Sequence, residues 1–126
     1  MFKDVLEKFL LACQDDSVLK EFASRRTIGL HFLISDKNQE FLLAFKNGAV
    51  VTAMGTPSEK ADLIIRTTAE TFDGMMTGRL DGATAYMTGK LRFTGDTTKG
   101  MTLQRLIKDM VRLYNQARSQ VADPLD

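Results

Sequence analysis

Two alternating runs and the dipeptide Asn47-Gly48 leave the middle of this chain few ways to fold. Ile28, Leu30, Phe32 and Ile34 recur at every second position, and Phe41, Leu43 and Phe45 repeat the pattern after the polar turn Asp36 to Gln39. Period-two alternation places these side chains on one face of a strand. Asn-Gly accepts the positive backbone angles of a tight hairpin, so residues 49–54 are predicted to fold back antiparallel on residues 41–46.

Two further strands are expected. Residues 62–67 are rich in β-branched side chains. In residues 90–94, Leu91 and Phe93 point one way while Lys90 and Arg92 point the other, which gives a strand with one wet side. Helical spacing governs the rest. Phe2, Val5, Leu6, Phe9, Leu10 and Cys13 form the apolar face of a first helix. Its polar face mixes both signs, which favours packing on the domain over lying on a membrane. Asp16 and Ser17 cap a short helix over residues 18–23. Two more short helices, residues 71–77 and 83–88, end at Gly78 and Gly89. One final helix is predicted over residues 101–118, with Leu103, Leu106, Ile107, Met110, Tyr114 and Ala117 along a single seam. Residues 1–119 then make one domain, and residues 120–126 read as a flexible tail.

Several function classes fall away on composition. The 17 basic and 16 acidic groups nearly balance, so no nucleic-acid partner is expected. One cysteine and one histidine do not make a structural zinc site. His31 lies mid-strand among apolar neighbours and there is no Gly-x-Ser-x-Gly turn, so a serine hydrolase has no base. Gly95 to Thr102 has the glycine spacing of a phosphate loop, but Met101 stands where the essential lysine belongs. Asp96 or Thr97 is read instead as a helix cap. The acidic residues Glu70 and Asp73 are placed near a helix N-terminus, where negative charge is stabilising without catalysis. No catalytic residue, metal or cofactor is expected. The single Cys13 excludes an internal disulfide and fits a cytoplasmic protein. Leu10-Leu11-Ala12-Cys13 has the outline of a lipoprotein cleavage box, but Asp4 and Glu7 interrupt the region that should precede it.

What remains is apolar and soft. Four of the seven methionines, Met75, Met76, Met87 and Met101, lie between Ala61 and Leu106 with Phe72, Tyr86 and Phe93. Unbranched thioether side chains suit surfaces that accept flexible apolar shapes. From Arg79 to Arg118, eight basic residues face three acidic ones, and Arg105, Lys108 and Arg112 fall opposite the seam of the final helix. These three are the candidates for transient contact with an anionic membrane or headgroup. A solvated outer face is the alternative.

The segments Ala61-Asp62-Leu63-Ile64-Ile65, Phe72-Asp-Gly-Met-Met76, Gly78-Arg79-Leu80, Ala85-Tyr86-Met87 and Gly89-Lys90-Leu91-Arg-Phe-Thr-Gly95-Asp96 follow one another in the order and spacing of a known family. In this the chain resembles the sterol carrier protein 2 family of lipid-binding domains, over residues 1 to about 117. The departure is Asp81-Gly82, where many relatives have proline or asparagine. The resemblance implies an α+β fold: a five-stranded, mostly antiparallel sheet with about five helices packed on one face, enclosing an apolar tunnel. It also implies non-enzymatic binding and transfer of a fatty acid, acyl-CoA, sterol or other lipid. The candidate lining comprises Phe32, Phe41, Leu43, Phe45, Phe72, Met75, Met76, Tyr86, Met87, Phe93, Met101, Leu106 and Met110. Any one of these is equally readable as plain core; the group carries the reading. The alternative is an accessory or scaffold domain for an enzyme of lipid or isoprenoid quinone metabolism.

Overall fold

The alternation translates directly into a sheet. In the computed structural model, which describes Met1–Asp126, β1 (Ile28–Ile34) buries Ile28, Leu30, Phe32 and Ile34 on one face. β2 (Gln39–Lys46) presents Phe41, Leu43 and Phe45 to that same face, and β3 (Ala49–Met54) follows through Asn47 and Gly48, both at positive φ. Two consecutive positive φ angles define the hairpin turn whose twist matches that of the flanking strands. β4 (Leu63–Thr67) and β5 (Leu91–Gly95) complete one five-stranded sheet of order β3-β2-β1-β4-β5. Three pairings are antiparallel; β1 and β4 run parallel, because the β2–β3 hairpin and a crossover intervene between them.

Gly95 closes β5 with φ +113°, and a side chain there would collide with the carbonyl oxygen of Asp62, just before the neighbouring strand β4. Asp62 exploits that closeness. Its carbonyl accepts from Asp96 N–H at 2.8 Å, and its carboxylate accepts from Gly29 N–H at 2.7 Å and from Lys99 Nζ at 3.0 Å. The Gly29 amide, ahead of the opposing effect of burial, holds the Asp62 carboxyl below the usual range, and Lys99 adds to it.

Six helices accompany the sheet. α1 (Phe2–Asp15) buries the six apolar residues expected of it and packs on β3 and on the C-terminal helix. α2 (Ser17–Arg25) is capped by Asp16, whose carboxylate accepts from Leu19 N–H. α3 (Ala69–Met76) and α4 (Gly82–Met87) lie between β4 and β5, capped by the side chains of Thr68 and Asp81. The Asp81-Gly82 departure thus supplies a regular helix start.

The final helix differs from expectation. It divides into α5 (Thr97–Leu103), capped by Asp96, and α6 (Ile107–Arg118). Gln104, Arg105 and Leu106 each donate to the carbonyl three residues back, a tighter winding that breaks the α period. The reason is tertiary: α5 lies on β4 while α6 packs on α1 and α3, so one straight seam does not serve both. Leu106 and Met110 are buried, whereas Ile107 is turned out to solvent. Residues 120–126 fold back on α1, with Asp126 O accepting from Phe2 N–H at 2.7 Å and Val121 and Leu125 against the core.

Candidate functional site

An aromatic centre occupies the space between sheet and helices. Phe32 and Phe41 are cross-strand partners on the core face, and register alone brings their rings into a stack at 4.8 Å. Phe72 of α3 meets both edge-on, at 5.8 and 6.3 Å, and reaches Tyr114 of α6 at 5.4 Å. Phe2 and Phe9 of α1 close the group against Phe72 and Tyr114. Edge-to-face pairs of this kind contribute about 0.5–1.5 kcal/mol each beyond the area they bury.

Beside these rings sits a charge. Asp73 is fully buried in the turn of α3 next to Phe72. Tyr114 donates its hydroxyl to Oδ1 at 2.6 Å; Arg118 donates from Nε to Oδ1 at 2.7 Å and from Nη2 to Oδ2 at 3.1 Å. Arg79 adds a bond to Oδ2 at 2.6 Å. Burial pulls the Asp73 carboxyl upward, but the hydrogen bonds from Arg118 and Tyr114 and the Arg118 charge outweigh it and hold the group ionised, below the usual range. Burial and the adjacent carboxylate raise the Tyr114 phenol in turn. The result is a polar clamp that fastens α3 and the Arg79 turn to α6 at the border of the aromatic centre. From sequence alone Asp73 reads as a charge near a helix N-terminus, with no partner. The signal lay in its spacing: Ala69, Phe72, Asp73 and Met76 fall on one helical face, so a carboxylate there has to be buried.

The structure sorts the thirteen candidate lining residues into three groups. Phe32, Phe41, Leu43, Phe72, Met76, Leu106 and Met110 belong to the continuous buried cluster, with Met75 and Phe93 packed at its margin. Phe45 belongs to the same cluster but lies at its α2 end, where it meets Phe22 at 5.2 Å. Tyr86, Met87 and Met101 are exposed by 57, 83 and 75 %, and Tyr86 stands against Phe93 at 5.6 Å. Tyr86 is thereby joined through Phe93 to the interior, while Met87 of α4 and Met101 of α5 add further exposed apolar surface.

Of the three basic candidates, Arg105 and Lys108 are exposed. Arg112 is engaged: it binds Asp16 at 2.8 Å and Asp109 at 3.2 Å, tying α6 to the α1–α2 junction. Arg105 instead shares a groove of about 390 Å³ with Arg25 and Arg26 of the α2 end. A second groove, about 550 Å³, opens at the other end of the molecule, where β4 passes into α3 and α4 returns into β5. Leu80 is its one apolar wall, so it is distinct from the aromatic centre. The opposite face of the sheet carries no helix; there Leu42 and Ala44 sit between strand neighbours, and His31 meets Glu40 at 2.9 Å.

Comparison with known proteins agrees with this architecture. Residues 6–108 match the SCP-2 sterol transfer family. The hydroxysteroid dehydrogenase-like protein 2 of Xenopus tropicalis is 31 % identical over 97 residues, 75 % of this chain and 23 % of that protein. This chain therefore spans about a quarter of the length of that curated relative. The solved sterol carrier protein 2 of Yarrowia lipolytica, in its apo form, superposes with a TM-score of 0.63 at 18 % identity, covering 90 % of this chain and 92 % of that one. The ubiquinone synthesis protein UbiJ-SCP2 superposes with a TM-score of 0.54 at 17 % identity, covering 86 and 87 % of the two chains.

Proposed function

The chain belongs to the SCP-2 sterol transfer family, and on that premise we propose that it holds one long apolar ligand, a fatty acid, acyl-CoA, sterol or other lipid, between sheet and helices and passes it on without chemistry of its own. The observation that carries the reading is the Tyr86–Phe93 contact, which joins an exposed aromatic of α4 to a residue packed against the buried apolar cluster, with Met87 and Met101 exposed on α4 and α5. A purely structural core has no need to present two methionines more than 70 % exposed at its edge. Entry of a chain there requires the rings around Phe72 to part, and the soft side chains of Met75, Met76 and Met110 are suited to repack around it. The Asp73 clamp keeps α3 and α6 together while that happens. Arg105 and Lys108, with Arg25 and Arg26 nearby, are the groups proposed to meet anionic headgroups during exchange. No helix is long and apolar enough to cross a membrane, so contact with a bilayer is peripheral in this reading. One free, buried cysteine suits the reducing cytoplasm.

Fluorescence displacement with saturated fatty acids of increasing length tests this directly. Each buried methylene contributes about 0.8 kcal/mol, so affinity should climb with chain length until the interior is full. Equal affinity for chains of about eight and about eighteen carbons would remove the apolar-interior reading.

A second reading rests on the uncovered sheet face and on the comparisons, in which domains of this fold occur within much longer chains. In it the domain serves an enzyme of lipid or quinone metabolism as a docking module, with the exposed Val51 of β3, on the same face as Leu42 and Ala44, near the contact. Retained fatty-acid binding after Val51→Lys, together with loss of a co-purifying enzyme, would favour that role.

A further inference from the structure

The groove at the α3 end carries charge that nothing in the fold explains. Arg66 of β4 and Arg92 of β5 are direct partners across an antiparallel pair, so their side chains leave the sheet on the same face, and both line the groove. Like charges directly opposite each other destabilise a sheet. Neither residue, nor neighbouring Lys90, forms an ion pair within the molecule. Arg79 enters the same groove, with its charge partly met by Asp73. Against these four cations the groove holds one carboxylate, Glu70. The first turn of α3 is largely occupied: Asp36 accepts from the Ala69 N–H, the Thr68 hydroxyl from the Thr71 N–H and the Thr68 carbonyl from the Phe72 N–H. Recognition at this groove therefore belongs to side chains.

We propose that this groove is a binding site for a phosphoryl group bearing close to two negative charges, held between the Arg66–Arg92 pair and Lys90, with the Thr68 hydroxyl at its border. A single carboxylate is matched by one guanidinium. Three unpaired cations call for an oxyanion with more charge and more acceptors, as a phosphate monoester or diphosphate supplies. Arginine forks suit such oxygens bidentately, and a like-charge pair that costs stability when empty becomes an asset when the anion is bound. The site lies apart from the apolar interior and stands whether or not the interior takes lipid. The phosphoryl group has two chemical sources, a soluble phosphoester or the headgroup of an anionic lipid.

The test uses the full chain and the variant Arg66→Gln/Arg92→Gln, with inorganic pyrophosphate as one probe and phosphatidylcholine vesicles containing phosphatidic acid as the other. Without ligand the variant should melt at or above the wild-type temperature, since it loses the repulsive pair. Pyrophosphate should raise the wild-type midpoint and leave the variant unmoved. Each guanidinium removed should weaken binding about tenfold. Glu70→Gln should bind more tightly than wild type. Stabilisation by pyrophosphate assigns a soluble phosphoester; vesicle binding that the double variant loses, without a pyrophosphate effect, assigns the headgroup. Absence of both overturns the proposal. So does equal retention of either probe by the double variant, or equal binding of polyglutamate, which would mark a non-specific basic surface. Arg92→Gln alone repeats the comparison should the double variant fold poorly.

Discussion

Tyr114 donates its hydroxyl to Asp73 Oδ1 across 2.6 Å, joining α6 to α3 inside an otherwise apolar interior. The same carboxylate receives three bonds from two arginines, so a single buried charge organises helices that are 41 residues apart at this contact.

Tyr114→Phe should cost about 1.5–3 kcal/mol, the usual value of a hydrogen bond to a charged group, while keeping the ring contacts with Phe9 and Phe72. Asp73→Asn leaves two arginines without their partner. Breaking a buried pair costs about 3–5 kcal/mol, and the partial exposure of Arg79 and Arg118 puts this case near the lower limit. Urea unfolding of both variants measures the difference; a change below about 0.5 kcal/mol in each would mean that the clamp adds nothing to stability.

Acid should act through the same group. The folded Asp73 carboxyl lies below its ordinary value of 3.8, so the unfolded chain takes up its proton first as pH falls. Its contribution is complete above that value and disappears as pH drops through the folded one. Asp62 is shifted in the same direction and adds to the loss. Melting temperatures measured from pH 5 to pH 2 should fall more steeply for wild type than for Asp73→Asn, an interval set by the carboxylate range of about 2–4. Parallel slopes would contradict the assignment.

Met76 sits in the last turn of α3 and keeps 8 % exposure, near enough to the surface for a longer side chain to reach water. Met76→Glu should therefore retain a cooperative melt while losing long-chain fatty-acid binding, since an interior that opens for lipid also hydrates the charge. Met87→Glu, at an exposed position of the proposed entry margin, should also keep a cooperative melt and should slow fatty-acid uptake less severely than Met76→Glu blocks it. If Met76→Glu unfolds instead, an unpaired carboxylate has entered a solid core at a cost of several kcal/mol, and Met76 is no part of a ligand wall.

The basic residues of the C-terminal segment should separate by role. Arg105→Gln/Lys108→Gln should slow lipid transfer between anionic vesicles at low salt, with each charge near the surface contributing about 1 kcal/mol to docking, and leave the melt unchanged. Arg112→Gln should lower the melting temperature through its lost bonds to Asp16 and Asp109, at about 1 kcal/mol, with little effect on transfer. Salt-insensitive transfer in the first variant would leave those charges as a solvated helix face.

Cys13 is buried in α1, and burial, then the nearby Asp16 charge, push its thiol up to about 12 against a smaller opposing pull from Arg112. At pH 8 it should resist a thiol-disulfide reagent in the folded protein and react on unfolding. Rapid modification under native conditions would show that α1 opens locally.

Periodicity alone determined most of the scaffold. Ile28 to Ile34 and Phe41 to Phe45 face the core because a strand turns its side chains over at every residue, and Asn47-Gly48 fixes the hairpin through backbone angles that other residues resist. The face of α1 was equally legible, since six apolar residues at helical spacing have to be covered. What only the tertiary structure decided are relations between distant residues. The seam of residues 101–118 reads as one helix, but β4 and α1 claim its two halves separately, and the chain winds tighter at Gln104 to Leu106. Asp73 reads as a helix-end charge until Tyr114 and Arg118 arrive from α6 to hold it ionised inside. Arg112 reads as one of a solvated stripe until Asp16 claims it. Arg66 and Arg92 are 26 positions apart in the chain and become neighbours only through the register of β4 on β5. Local sequence sets which face a residue takes; charge pairing depends on which faces meet, and that is decided by the packing of the whole chain.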